Sequence, residues 1–103
     1  MYVAEVDTQF YVLEIRRLAA SYQTGDSLSE VKVRVDDTIK SMQAMLGYDS
    51  DYQAEKWAEL FNELGAFSTN NADPEWQSVI AYARRKVNCK KHSAIFRCKR
   101  SRK

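Results

Sequence analysis

The sequence predicts an all-α fold, an antiparallel four-helix bundle with a basic C-terminal extension. One Pro and three Gly in 103 residues are few for a chain that turns often, and this scarcity favours long helices joined by short loops. The glycines, at positions 25, 47 and 65, each follow a segment with helical periodicity, as expected of a glycine that ends a helix. The predicted helices span about 3–23, 28–46, 51–64 and 74–91. They form a single domain over 1–103, of which 89–103 is the basic extension.

The first predicted helix has a wide apolar face. Two stripes at three- and four-residue steps lie beside each other, so this helix is expected to be buried on more than one side. The stripes are Val3, Val6, Phe10, Leu13 and Ala20 in one, and Tyr11, Ile15, Leu18 and Tyr22 in the other. A short extended start over 2–6 is the alternative, since valine tolerates either state.

The second and third predicted helices each begin at a capping box. In Ser27-Leu28-Ser29-Glu30 and in Ser50-Asp51-Tyr52-Gln53, the serine hydroxyl is expected to accept from the amide three residues on, while Glu or Gln reaches back. The apolar faces that follow are Leu28, Val31, Val35, Ile39, Met42 and Leu46 in the second helix and Trp57, Leu60, Phe61 and Leu64 in the third. Gly65, followed by Phe67, predicts a Schellman turn at the end of the third helix.

The fourth predicted helix starts at Asp73, a favoured N-cap residue, with Pro74 at the first helical position. Its narrow apolar stripe is Trp76, Val79, Ile80, Ala83 and Val87. Beyond this stripe two routes are open. The helix continues toward Cys98, with Val87, Lys91 and Ala94 along one side, or the chain bends back on the apolar anchors Ile95 and Phe96.

Charge divides the chain into two opposed blocks. Residues 1–83 hold 6 bases and all 14 acids, a net charge of −8, whereas residues 84–103 hold 10 bases and no acid. Acids recur at i, i+4 positions along the third helix in a single acidic stripe, which consists of Asp51, Glu55, Glu59 and Glu63. Such a stripe is a solvated face or a partner surface. Our hypothesis is that the basic tail lies over it, in its own chain or in a neighbouring one, because a network of charges stabilises more than one exposed pair.

Residues that could carry chemistry are few. The chain has no glycine-rich phosphate loop and a single His. Cys89, His92 and Cys98 are three possible zinc ligands, but their spacing matches no usual finger, so no metal and no cofactor are predicted. Arg85 and His92 resemble the Arg-x4–6-His motif of the HEPN ribonucleases, which are also helical bundles. The resemblance covers two residues and the fold class, and it implies an Arg and a His acting on an RNA phosphate; the polar residue usual after the Arg is here Lys86.

These observations predict a non-catalytic interaction protein, a protein-binding module that self-associates. The alternative is a nucleic-acid-binding protein, since a basic tail that includes Phe96 suits salt-sensitive phosphate contact. The bases assigned to that role are Arg84, Arg85, Lys90, Lys91, Arg97, Lys99, Arg100 and Arg102. A membrane surface is less favoured, because only Ile95 and Phe96 could insert, and no small-molecule substrate is evident.

A cytoplasmic location is expected. The two cysteines make no disulfide framework, although one bridge between them stays open. The start of the chain resembles no secretory signal.

Overall fold

The computed structural model describes the backbone of residues 6–68 and 73–101 and the side chains of residues 6–66 and 73–94. Its four α-helices are α1 (Thr8–Gln23), α2 (Leu28–Leu46), α3 (Ser50–Ser68) and α4 (Pro74–Ser101). No strand occurs in the described backbone, and the all-α prediction is confirmed. Within these residues, no helix combines the length and the apolar content that crossing a membrane requires.

α1 begins later than the predicted residue 3, because Asp7 caps it. The Asp7 carboxylate accepts a hydrogen bond of 3.1 Å from the Gln9 backbone amide, and Val6 and Asp7 themselves are not helical. A side-chain oxygen at this position satisfies one of the free amides of the first turn. Apart from Val6, the extended start considered for 2–6 lies outside the described residues.

The end of α1 is a Schellman turn around a glycine. The Asp26 amide donates to the Ser21 carbonyl at 3.1 Å and the Gly25 amide to the Tyr22 carbonyl at 3.2 Å. Gly25 has a φ of 116°, a conformation that side chains with a Cβ rarely adopt. The pattern of two bonds is the one that defines the motif, so Gly25 ends α1 as predicted.

α1 is buried along one side, which corrects the prediction of burial on more than one side. Tyr11 and Ile15 of one predicted stripe lie in the core together with Val12, which was in neither stripe. Phe10 and Leu13 of the other stripe are 55% and 57% exposed. An apolar face is buried only where another element covers it, and no described element covers the sector that holds Phe10 and Leu13.

The predicted capping box of α2 does not form. Ser27 is the N-cap of α2, but its side chain accepts from no amide of the first turn. The Ser27 hydroxyl instead pairs with the Ser29 hydroxyl at 2.9 Å. The helix nevertheless starts and ends where predicted, because its buried face sets its extent: Val31, Val35, Ile39, Met42 and Leu46 are all buried.

α3 is capped by Asp49, one residue before the predicted Ser50. The Asp49 carboxylate accepts from the amides of Asp51 and Tyr52 at 3.0 and 3.2 Å. A carboxylate at the cap also suits the positive end of the helix dipole. Gln53, which was expected to complete the capping box, is buried and has its side-chain amide bonded to the Gly47 carbonyl.

Gly65 lies inside α3, so the predicted helix end at residue 64 and its Schellman turn are wrong. α3 continues to Ser68, and the described glycines with a positive φ are Gly25 and Gly47. The missing side chain at Gly65 has a different effect, since a Cβ there would lie 2.9 Å from a guanidinium nitrogen of Arg84. Gly65 therefore leaves room for Arg84 of α4 to lie across α3.

α4 starts where the sequence predicts and runs further. The Asp73 carboxylate accepts from the Glu75 amide at 2.8 Å. A hydrogen bond from the Gln23 side chain, at the end of α1, lowers the pKa of Asp73, as does the bond from Glu75. The helix continues beyond the predicted residue 91 to Ser101. The chain therefore takes the first of its two predicted routes.

One apolar core joins the four helices. Ile15, Met42, Trp57 and Ile80, one from each helix, are fully buried in the same cluster. The predicted apolar faces of α2, α3 and α4 are buried, except that Leu28 of α2 and Phe61 of α3 are only partly buried. α3 and α4 share the most extensive interface, so α4 is positioned chiefly by α3.

Candidate functional site

The acidic stripe of α3 faces outward and is incompletely paired. Asp51, Glu55 and Glu59 are exposed and Glu63 is half-buried. Glu59 forms a 3.5 Å ion pair with Lys56 of its own helix. Glu55 and Glu63 have no ion-pair or hydrogen-bond partner among the described residues. The stripe therefore keeps uncompensated negative charge at the surface of the chain.

The side of α4 that faces α3 carries two cations, which lie over one aromatic ring. The Arg84 guanidinium carbon is 4.2 Å from the centroid of the Phe61 ring, and Lys91 Nζ is 4.7 Å from the same centroid. A ring face attracts a cation through its quadrupole. Neither cation pairs with a carboxylate in the described part of the chain. We call this surface, formed by Phe61, Arg84 and Lys91, the Phe61 flank.

The side of α4 that faces α2 gathers a second group of charges. The Nζ atoms of Lys32 and Lys86 lie 5.1 and 5.5 Å from the Tyr82 ring centroid, and the Arg85 guanidinium carbon lies 5.9 Å from it. The Tyr82 hydroxyl donates to the Asp36 carboxylate, at 2.9 and 3.0 Å from its two oxygens. We call these five residues the Tyr82 cluster. It joins a base and an acid of α2 to two bases of α4.

The phenol of Tyr82 is held in its neutral form. Desolvation raises its pKa, and the hydrogen bond to Asp36 and the negative charge of Asp36 raise it further, while Arg85 opposes them. A raised pKa means that folding favours the protonated phenol. The stability that this provides is therefore present below the unfolded pKa of about 10 and is lost as pH rises through the higher folded value.

Replacing Asp36 with asparagine is expected to lower the pKa of Tyr82, because the amide removes the negative charge beside the phenolate. The measurement is the tyrosinate absorbance during alkaline titration, with the curve of Tyr82→Phe subtracted to isolate Tyr82. As a matched control, Asp37→Asn removes an exposed carboxylate one residue away that makes no bond to Tyr82. An unchanged Tyr82 curve in Asp36→Asn would contradict the assigned role of Asp36.

The other bases assigned to nucleic-acid binding also belong to the C-terminal part of the chain. Lys90 is half-buried on α4. Arg97, Lys99 and Arg100 belong to the helical backbone of α4, and their side chains lie outside the described residues. Arg102 lies outside them altogether. For three of these bases the structure therefore gives a helical backbone position but no side-chain position.

The candidate zinc ligands are not gathered in the described residues. Cys89 is an exposed free thiol and His92 is exposed, while the Cys98 side chain lies outside the described part. No group of three His, Cys, Asp or Glu side chains that could hold a metal ion occurs among the described residues. Arg85 and His92 are both exposed and lie about two helical turns apart, so they share a side of α4. Nothing in the described residues tests the role in RNA cleavage that the resemblance implies for them.

Sequence reasoning missed the side chains that organise these surfaces. Phe61 was assigned to the core, and Lys32 and Asp36 were assigned no role. Their i, i+4 spacing places Lys32 and Asp36 on one face of α2, a signal that was available. Which helix this face meets could not be read from the spacing, because it depends on the packing of α2 against α4.

No protein-family model, no curated protein and no solved structure matches this chain.

Proposed function

We propose that the protein is a non-catalytic helical interaction module that binds a second copy of itself. In this proposal the Phe61 flank of one copy lies against the acidic stripe of the other. The observation that carries the proposal is complementary charge left unpaired on one chain. Glu55 and Glu63 on the acidic side, and Arg84 and Lys91 on the basic side, have no ionic partner among the described residues.

The helix arrangement that we propose is the antiparallel bundle expected from the short connections. Two contacts support it. Asp73 at the start of α4 bonds Gln23 at the end of α1, and the Val6 amide beside the start of α1 donates at 2.8 Å to the Tyr52 hydroxyl near the start of α3. Such pairing of ends follows if neighbours in sequence run in opposite directions.

Self-association is favoured over a contact within one chain because of where α4 lies. The Arg84 guanidinium crosses α3 at Gly65 and covers Phe61. Glu55 lies ten residues before Gly65, which places it about 80° around α3 from that point. Glu55 and the cations thus occupy adjoining sectors of the surface, with the cations fixed over the ring, whereas Glu63 lies about 160° around α3 from Gly65. A second copy turned by 180° can offer each sector its complement.

A dimer of this kind closes on itself. In a two-fold interface the same surface patch serves both copies, so the acidic stripe and the Phe61 flank are each used once per copy and none is left for further growth. Each exposed ion pair contributes about 0.2–1 kcal/mol, and only several together stabilise a dimer. The association is therefore expected to weaken with salt, since exposed charges are screened.

We place the protein in the cytoplasm, where Cys89 would stay a free thiol.

Reversing charge on the acidic stripe is expected to dissociate the dimer. In sedimentation equilibrium at low salt, Glu55→Lys with Glu63→Lys should raise the dissociation constant by more than about tenfold, because attraction becomes repulsion. Arg84→Glu with Lys91→Glu should do the same. An equimolar mixture of the two variants should associate again, since the reversed surfaces complement each other.

The matched control is Glu30→Lys with Asp37→Lys, which makes the same change of net charge at two exposed positions of α2. It should leave the dissociation constant within about twofold. Circular dichroism confirms folding, and Lys91→Glu alone replaces the basic double variant if that variant unfolds. A monomer at every salt and protein concentration, or a mixture of variants that fails to associate, overturns the proposal.

A further inference from the structure

The Tyr82 cluster is not used by the proposed self-association, which employs the opposite flank of α4. Three cations, Lys32, Arg85 and Lys86, surround one ring at 5.1–5.9 Å from its centroid. Each distance is measured from the same point, so any two of these charges lie within about 11 Å of each other. Two or three successive phosphates of one nucleic-acid strand fit within such a span. Convergence of this kind is more than a scatter of surface bases.

The charge of the cluster is positive and only partly compensated. Asp36 is its single carboxylate, and both of its oxygens lie within hydrogen-bond distance of the Tyr82 hydroxyl. Lys32, Arg85 and Lys86 form no ion pair with any described side chain. Two of the three, Arg85 and Lys86, are exposed. The cluster thus contains three positively charged side chains and one carboxylate, that of Asp36, which is bonded to the phenol.

α4 extends this surface along its own axis. An α-helix returns to nearly the same direction after 11 and after 18 residues. Arg97 follows Lys86 by 11 positions and Arg100 follows Tyr82 by 18, and the backbone of α4 is helical at both. Their backbone positions therefore fall on the flank that the Tyr82 cluster begins. A row of bases along a helix matches the regularly spaced charges of a phosphate backbone. A single free phosphate would contact only one part of such a row.

We propose that the Tyr82 cluster binds the phosphate backbone of a single-stranded nucleic acid. The negative charge of the rest of the chain favours a single strand over a duplex. Residues 1–83 carry a net charge of −8, and a rigid duplex at α4 would bring many of its phosphates near them. A flexible strand can follow the basic flank and avoid the acids. Contacts with phosphates alone do not distinguish one base sequence from another. The affinity is therefore expected to depend on salt and not on the order of the bases.

The test is fluorescence anisotropy of the full chain with a labelled oligothymidylate, over a salt series at low ionic strength. The wild-type affinity should fall steeply with salt, and the triple variant Lys32→Gln, Arg85→Gln, Lys86→Gln should bind at least about tenfold more weakly. Its slope of log affinity against log salt should be shallower by about 2, since each lost single-strand phosphate contact removes roughly 0.7.

The control has the same loss of charge elsewhere: Arg84→Gln, Lys91→Gln and Arg17→Gln, the last on α1. It should retain affinity within about threefold and keep a steeper slope than the cluster variant. Circular dichroism monitors folding, and Arg85→Gln with Lys86→Gln, both exposed, replaces the triple variant if that one unfolds. No binding by the wild type at low salt overturns the proposal, and so does an equal loss in the control. Competition by pyrophosphate as effective per phosphate as the unlabelled strand, or tighter binding to anionic vesicles, also overturns it.

The outcome does not depend on the proposed self-association. The control contains the basic substitutions of the Phe61 flank, so its anisotropy reports strand binding by a chain whose self-association is weakened. If sedimentation finds a monomer and the strand still binds at the Tyr82 cluster, only the dimer proposal fails. If the dimer forms and no strand binds, only the Tyr82 proposal fails.

Discussion

Replacing Trp57 with alanine is expected to lower the free energy of unfolding by about 3–5 kcal/mol, as large aromatic deletions in cores do. Trp57 of α3 has no exposed surface and belongs to the cluster that joins all four helices. Since a domain of this size is stable by roughly 5–15 kcal/mol, the variant should retain little stability. Urea unfolding followed by far-ultraviolet circular dichroism measures the difference.

Trp57→Phe is the comparison that isolates the cavity. The Trp57 Nε1 atom is buried without a hydrogen-bond partner in the described residues, and phenylalanine removes that donor while keeping much of the ring. Its cost should therefore be less than half that of Trp57→Ala, because less volume is emptied, while the unpaired donor is lost in both variants. Tyr48→Ala, at a fully exposed position, should change little. A cost below about 1 kcal/mol for Trp57→Ala would show that Trp57 does not hold the core together.

Helix identity could be predicted from the sequence because single apolar stripes dominate α2 and α4. In α2 the five periodic residues from Val31 to Leu46 point one way and are buried together. In α1 two stripes compete, and nothing in the sequence says which one the other helices cover. The choice is made by packing, so the burial of Ile15 and the exposure of Leu13 could not be read from periodicity.

Helix ends depend on contacts that local sequence does not contain. Gly25 ends α1 because its positive φ is needed there. Gly65 resembles it in the sequence, but it stays helical and makes room for Arg84, a residue nineteen positions later. For the same reason the bases of α4 could be found by counting, whereas their division between the Phe61 flank and the Tyr82 cluster could not. That division is set by the packing of α4, which meets the Phe61 ring of α3 on one side and Lys32 and Asp36 of α2 on the other.

A pair of substitutions in α1 tests directly which of its stripes is buried. Ile15→Ala should cost about 2–5 kcal/mol in the free energy of unfolding, since Ile15 has no exposed surface and its removal leaves a cavity. Leu13→Ala should stay within about 0.5 kcal/mol, because the Leu13 side chain is 57% exposed and alanine is the better helix former. Both are measured by urea unfolding at equal protein concentration.

The two positions are matched, since both lie in the middle of the same helix and both receive the same residue. The difference between them therefore reports burial rather than helix propensity. High salt removes the contribution of the proposed dimer, so the comparison is made there and repeated at low salt. Equal losses for Ile15→Ala and Leu13→Ala at high salt would mean that α1 is buried on more than one side after all. A loss for Leu13→Ala that appears only at low salt would place Leu13 in the contact between copies.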